Sequence, residues 1–217
     1  MKIGILGTGM VGQTIATKLV ELGHEVKMGS RIAKNEQAVE WTSRMGQNAS
    51  HGTFADAAEF GEVLFNCTHG MNSLDALQAA GKLNFAGKVL IDVSNPLDFS
   101  KGFPPTLSVC NDDSLGEQIQ RTFPEAKVVK TLNTVSAQVM INPSLLPGDH
   151  DLFMSGNNAD AKGVVRMILE EWFGWKVVID LGDITTARGA EQLLPLWARL
   201  AAIWKTGQFN FHVVRPA

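Results

Sequence analysis

Apolar and polar positions alternate in two rhythms along the first ninety residues. Short runs such as Lys2–Leu6 and Val63–Cys67 are almost wholly apolar, as in strands buried on both faces. Between them, Met10–Leu22, Gln37–Met45 and Ser73–Ala80 place apolar residues every three or four positions, as amphipathic helices do. The pattern predicts strands at Lys2–Leu6, Glu25–Met28, Val63–Cys67 and Lys88–Val93, with a short third strand and a small helix inside Thr53–Phe60. Ser94–Asn111, with its three prolines, reads as a long loop. The alternation then resumes, with helices over Leu115–Thr122 and Asp160–Phe173 and strands at Lys127–Leu132, Asp151–Ser155 and Lys176–Ile179. Strands alternating with helices favour a parallel sheet covered on both faces. The expected fold class is therefore α/β: a Rossmann-type, doubly wound, mostly parallel sheet of about eight strands.

From Thr185 to about Lys205 the chain carries Leu193, Leu196, Trp197, Leu200 and Trp204 at helical spacing, and Pro195 starts or kinks a helix there. With no linker to cut at, residues 1–217 read as one domain, of which 185–217 form a C-terminal helical extension. Other helices already cover the sheet, so this stripe is expected to bury against a second copy in a homodimer. The alternative is that it packs on the chain's own sheet.

Composition narrows the function classes. The chain has 217 residues, 45% hydrophobic, and a formal net charge of −3 from 19 basic and 22 acidic side chains. That balance offers no basic excess for nucleic acid or a membrane surface. Cys67 and Cys110 lie too far apart for a metal-type pair and indicate no disulfide framework. His24, His51, His150 and His212 are not grouped at metal-ligand spacing, so no metal is expected. With neither a signal-peptide pattern nor a long apolar span, the expected location is the cytoplasm, with no membrane contact.

The strongest motif is Gly7-Thr8-Gly9-Met10-Val11-Gly12, between the first strand and the first helix. Gly7 permits a tight turn, Gly9 lets backbone approach a pyrophosphate, and Gly12 lets helix and strand pack closely. The helix that opens here presents free N–H groups and the positive end of its dipole to phosphate. About twenty residues on, NAD-binding folds carry an acid for the ribose 2′-hydroxyl. Here the second strand ends in Gly29-Ser30-Arg31, with Lys34 one turn further. A hydroxyl and a guanidinium suit a 2′-phosphate, which a carboxylate would repel. The cofactor expected is NADP(H).

Met1–Met28, Gly29-Ser30-Arg31, the run Val128-Val129-Lys130-Thr131-Leu132-Asn133-Thr134-Val135-Ser136-Ala137 and the C-terminal third resemble the coenzyme F420-dependent NADP oxidoreductase family. They are also similar to the cytosolic NADPH-binding domain of STEAP metalloreductases. The resemblance implies a Rossmann domain with a small helical C-terminal region, often in a homodimer. It implies hydride transfer between NADPH and a deazaflavin (F420) or a flavin. By motif, Thr8, Met10 and Val11 would line the pyrophosphate loop, and Ser30, Arg31 and Lys34 would hold the 2′-phosphate. The nicotinamide carboxamide would lie against backbone between Asn133 and Ala137, with Thr68, His69 and Asn95-Pro96 flanking ribose and ring.

Such a reaction needs two flat rings at reacting distance and little water, not a strong acid or base. The sequence agrees, since it contains no tyrosine for a carbonyl-reductase relay. His69 is the candidate general acid, expected at a strand end on the cofactor face, and Asn133 the candidate for orienting the acceptor. Both are expected to line the acceptor pocket. Two other readings stay open: a non-enzymatic NADP(H)-sensing module, and a reductase of a small carbonyl or hydroxy acid.

Overall fold

The computed structural model describes residues 1–216. In chain order the elements are β1 Lys2–Leu6, α1 Met10–Glu21, β2 Glu25–Ser30, α2 Glu36–Met45, β3 Ala49–Thr53, α3 Phe54–Phe60, β4 Val63–Asn66, α4 Ser73–Ala80 and β5 Val89–Asp92. They continue as β6 Leu97–Asp98, β7 Thr106–Leu107, α5 Leu115–Thr122, β8 Lys127–Thr131, α6 Ala137–Ile141, β9 Leu152–Gly156, α7 Ala159–Met167, β10 Val178–Gly182, α8 Ala187–Gln192 and α9 Leu194–Trp204.

Eight strands form one sheet in the order β10-β9-β8-β5-β4-β1-β2-β3. Six run parallel, and β9 lies antiparallel to β8 with β10 parallel to β9. The order reverses between β1 and β4, the switch point at which doubly wound sheets bind ligands beyond the carboxyl ends of their strands. One face is covered by α1, α2, α6 and α7 through Ile15, Leu19, Trp41, Val139 and Val165. The other is covered by α3, α4, α5 and α8 through Phe54, Leu77, Ile119 and Ala187. The central strands β1 and β4 are buried on both sides, as their unbroken apolar runs require.

Three expectations are corrected. The third strand is Ala49–Thr53 and precedes Thr53–Phe60, which is helical beyond Thr53; a capping box, in which Thr53 and Asp56 each bond the other's backbone N–H, fixes that boundary. The loop Ser94–Asn111 contains a short antiparallel hairpin, β6 with β7. The helical extension ends at Trp204, where Lys205 turns left-handed at φ 54°. Residues 206–216 run on without helix, and Ala217 lies outside the described residues. That terminal strap is held at Asp151, whose N–H donates to the Phe211 carbonyl at 2.9 Å and whose carboxylate accepts from Val213 N–H at 2.6 Å.

Candidate functional site

A cleft of about 530 Å³ opens over the switch point, walled by Gly7, Thr8, Gly9, Arg31, Phe54 and Asn72. Cys67, Thr68 and His69 close its inner end and also wall a narrower recess of about 160 Å³ with Val11, Ser94, Asn95 and Phe99. The two form one groove along the carboxyl ends of the strands.

The glycine loop is shaped by close approach. Gly7 has φ 121°, and a Cβ there would sit 2.6 Å from the Cys67 carbonyl oxygen. A Cβ on Gly12 would collide with the Gly7 carbonyl oxygen, so α1 packs directly on its own loop. Gly9 is different: among the described residues nothing lies within 4 Å of its missing Cβ. Gly9 is also the N-cap of α1 and supplies no side-chain cap, so the first N–H groups of this twelve-residue helix keep their capacity to bind an anion. Thr8 is tied by its hydroxyl to Gln37 Oε1 at 3.2 Å, and its carbonyl accepts from Gln13 Nε2 at 2.9 Å. Met10 projects outward, 77% exposed, while Val11 is partly buried against the narrow recess.

At the tip of β2 the Ser30 hydroxyl donates to the Ile32 carbonyl at 2.6 Å and accepts from Ile32 N–H at 3.2 Å. Buried Ser30 thus shapes the turn that turns Arg31 outward. Arg31 walls the cleft, and Lys34 stands exposed on the same turn. Among the described residues neither cation has a salt-bridge or side-chain hydrogen-bond partner. No acid stands at the strand tip. The surroundings therefore fit an NADP 2′-phosphate, and the open space at Gly9 fits the pyrophosphate.

At the other end, Thr68 donates through its hydroxyl to Asn66 Oδ1 at 2.7 Å. His69 is exposed where the wide and narrow parts meet, its ring centroid 6.4 Å from that of half-exposed Phe99. Cys67 is only partly buried by surface exposure, but desolvation and then the charge of Asp92 push its thiol well above the usual range, so it is no thiolate nucleophile.

Asn133 corrects an expectation. It is 3% exposed and absent from the groove wall. Its amide donates to Asn95 Oδ1 at 3.1 Å, and Asn95 returns a bond to the Asn133 carbonyl at 2.8 Å. It is a clamp beneath the recess, and Asn95 is the member that reaches the wall. Ala137, also buried, begins α6. Nearby, the hydroxyls of Thr134 and Ser136 are buried with no partner among the described residues, which suits a polar group laid against this segment.

Sequence reasoning missed what lies under the recess. Asn66, fully buried, donates to Ser73 Oγ at 2.7 Å and to Asp92 Oδ1 at 2.8 Å. Asp92 meets Lys130 at 2.8 Å, and Lys130 meets Glu191 at 2.8 Å, with all three side chains buried. A lysine directly after the apolar pair Val128-Val129, in a strand at the centre of the alternating pattern, was the available signal. Among the described residues no group of three or more His, Cys, Asp or Glu could hold a metal ion, and no helix is long and apolar enough to cross a membrane.

Comparison with known proteins agrees with this geometry. The profile of the family described as NADP oxidoreductase, coenzyme F420-dependent, matches residues 2–96. A crystal structure from Arthrobacter sp. FB24, provisionally named an F420-dependent NADP reductase, is 52% identical, covers 99% of this chain and 100% of its own, and superposes with a TM-score of 0.94. The metalloreductase STEAP3 of Rattus norvegicus is 29% identical over 201 residues, 90% of this chain; the match spans only 38% of that protein's length. An imine reductase from Streptomyces aurantiacus shares the fold, with a TM-score of 0.64 at 19% identity over 94% of this chain and 65% of its own.

Proposed function

The chain belongs to the coenzyme F420-dependent NADP oxidoreductase family, and from that premise we propose that it passes a hydride between NADP(H) and a flavin or F420-type deazaflavin ring. The observation that carries this reading is the asymmetry of the groove. One end has the open Gly9 cradle and unpaired Arg31; the other is a small recess between Val11 and Phe99 with little reactive chemistry in its walls.

When bound, NADPH supplies a hydride from C4 of its nicotinamide, and the oxidised acceptor ring takes up that hydride with a proton from solvent. The protein's part is to bind and align. The first N–H groups of α1 and the Gly9 backbone receive the pyrophosphate. Arg31 and Lys34 hold the 2′-phosphate by charge-assisted bonds, and buried Ser30 fixes the turn that aims them. Thr68 and Asn95 flank the nicotinamide ribose, while the Asn133–Ala137 backbone takes the carboxamide. Val11 and Phe99 exclude water from the reacting faces, which strengthens alignment without any covalent step. His69, at the mouth, orients the acceptor. We take the working unit as a homodimer, because α9 leaves Leu196 48%, Ile203 71% and Trp204 54% exposed.

One observation favours a second reading. His69 stands at the junction of the two parts of the groove, where it could protonate a small carbonyl or imine. An acceptor screen with NADPH against F420, FMN, FAD, ferric chelates and small carbonyls separates the two. The hydride-to-ring reading expects turnover with a flavin-type ring, and His69→Ala to raise its KM more than it lowers kcat. Turnover confined to carbonyls, with a fall in kcat of about 100-fold or more in His69→Ala, would install the second reading.

A further inference from the structure

Beneath the narrow recess lies a charge cluster that hydride transfer does not in itself require. Lys130 Nζ donates to Asp92 Oδ2 at 2.8 Å and to the Ser94 carbonyl at 2.6 Å, and stands 2.8 Å from Glu191 Oε1. Burial disfavours its ammonium form, but the two carboxylates more than compensate, and its pKa is raised. Two carboxylates facing one ammonium leave a net negative charge inside the protein. Glu117, the acid carried by α5, is paired with Arg188 at 2.6 Å. Glu191 also accepts the N–H groups of Leu115 and Gly116 at 2.8 and 3.0 Å, so part of its charge is shared with the start of α5.

Asp92 is the member nearest the groove. Its Oδ1 accepts from the Ser94 hydroxyl at 2.6 Å and from Asn66 at 2.8 Å. Ser94 walls the recess, as does Thr68, which bonds to Asn66. One side chain therefore separates the Asp92 carboxylate from the groove. Its field reaches the wall, since it contributes to raising the Cys67 thiol pKa. A buried ion cluster of this kind is weak evidence for a stabilising role, because desolvation offsets the attraction. Its unequal count of charges calls for another account.

We propose that the Asp92–Lys130–Glu191 triad tunes the redox balance of the cofactor, favouring the cationic nicotinamide of NADP⁺ over the neutral ring of NADPH and so making bound NADPH a stronger hydride donor. This rests on the reading that the narrow recess takes the nicotinamide. The two cofactor forms differ by one positive charge on that ring. A wall charge therefore acts on the ratio of their affinities, whereas a loosened site weakens both. At an effective dielectric of about 20 and a separation of roughly 8 Å, removing one negative charge corresponds to about a thirtyfold change in that ratio. For a two-electron couple this is about 45 mV.

The test is calorimetric titration of the full chain with NADP⁺ and NADPH separately, each variant checked by thermal melt. Asp92→Asn and Glu191→Gln should both shift the affinity ratio toward NADPH, Asp92→Asn by the full factor and Glu191→Gln by less. Glu191→Asp, which keeps the charge and disturbs the geometry, should leave the ratio at the wild-type value even if its melting temperature falls. If Asp92→Asn does not fold, Glu191→Gln decides, with a shift of at least twofold expected. An unchanged ratio, or a shift toward NADP⁺, in the folded variants overturns the proposal. Failure of the wild-type chain to bind either form would instead overturn the cofactor reading on which it stands.

Discussion

Replacing Arg31 probes the link between the tip of β2 and cofactor choice. The Ser30 hydroxyl spans Ile32 and closes the turn, so Arg31 leaves the sheet at a fixed place and reaches the groove wall without a partner. No internal interaction is lost when its side chain is removed, and the fold should melt unchanged. What is lost is a charge-assisted contact to a phosphate, worth about 1.5–3 kcal/mol. Arg31→Ala should therefore weaken NADPH by roughly 10- to 150-fold. NADH, which lacks the 2′-phosphate, should move little. Arg31→Asp should weaken NADPH further, because its carboxylate faces the same phosphate. Intrinsic tryptophan fluorescence or calorimetry with both cofactors reads the difference. The reasoning fails if the wild-type chain binds NADH as tightly as NADPH, or if Arg31→Ala weakens both equally.

Gly9→Val should abolish NADPH binding while leaving the ligand-free melt in place, since no described residue occupies the space around that Cβ; retained affinity in a folded variant would reduce the loop to a turn. Light scattering at micromolar concentration should give about twice the 23.5 kDa chain mass, and Ile203→Glu with Trp204→Glu should return the monomer; a wild-type monomer would refute the dimer. Glu117 is held below its ordinary pKa chiefly by its hydrogen bonds to Arg188. The stability this confers is fully present above the unfolded glutamate value of about 4.3 and is lost as pH falls through the lower native value. Glu117→Gln should accordingly lower the melting temperature at pH 7 and cost progressively less as the solution is acidified, which a pH series of melts would check.

The fold was legible where burial leaves a periodic mark. Strands β1 and β4 and helix α4 stand where their apolar patterns placed them, because the switch-point strands are covered on both faces. Strand β3 was not legible: Ala-Ser-His-Gly-Thr is an edge strand paired only with β2, and its polar side chains carry no strand signature. The turn from Arg31 to Lys34 and the open position at Gly9 could be read locally, since each is set by neighbours in sequence. Asn133 and the Asp92–Lys130–Glu191 triad could not. Asn133 pairs with a residue 38 positions away, and Glu191 caps a helix 75 and 76 positions away, contacts that only the folded sheet brings together. The same holds at the C-terminus, where periodicity ends at Trp204 and the strap beyond is fixed by its bonds to Asp151.

The central claim, direct hydride transfer from NADPH to a flavin-type ring in this groove, is tested most directly by following the hydrogen itself. NADPH carrying deuterium at the transferring C4 position would be mixed with the chain and F420, whose ring carbon retains the incoming hydrogen against exchange with water. Mass spectrometry of the reduced ring should find one deuterium per molecule, and the Arg31→Ala variant should reach the same labelling at a higher NADPH concentration. Reduced ring without deuterium, or no reduction of the ring while a small carbonyl acquires the label, would contradict the account.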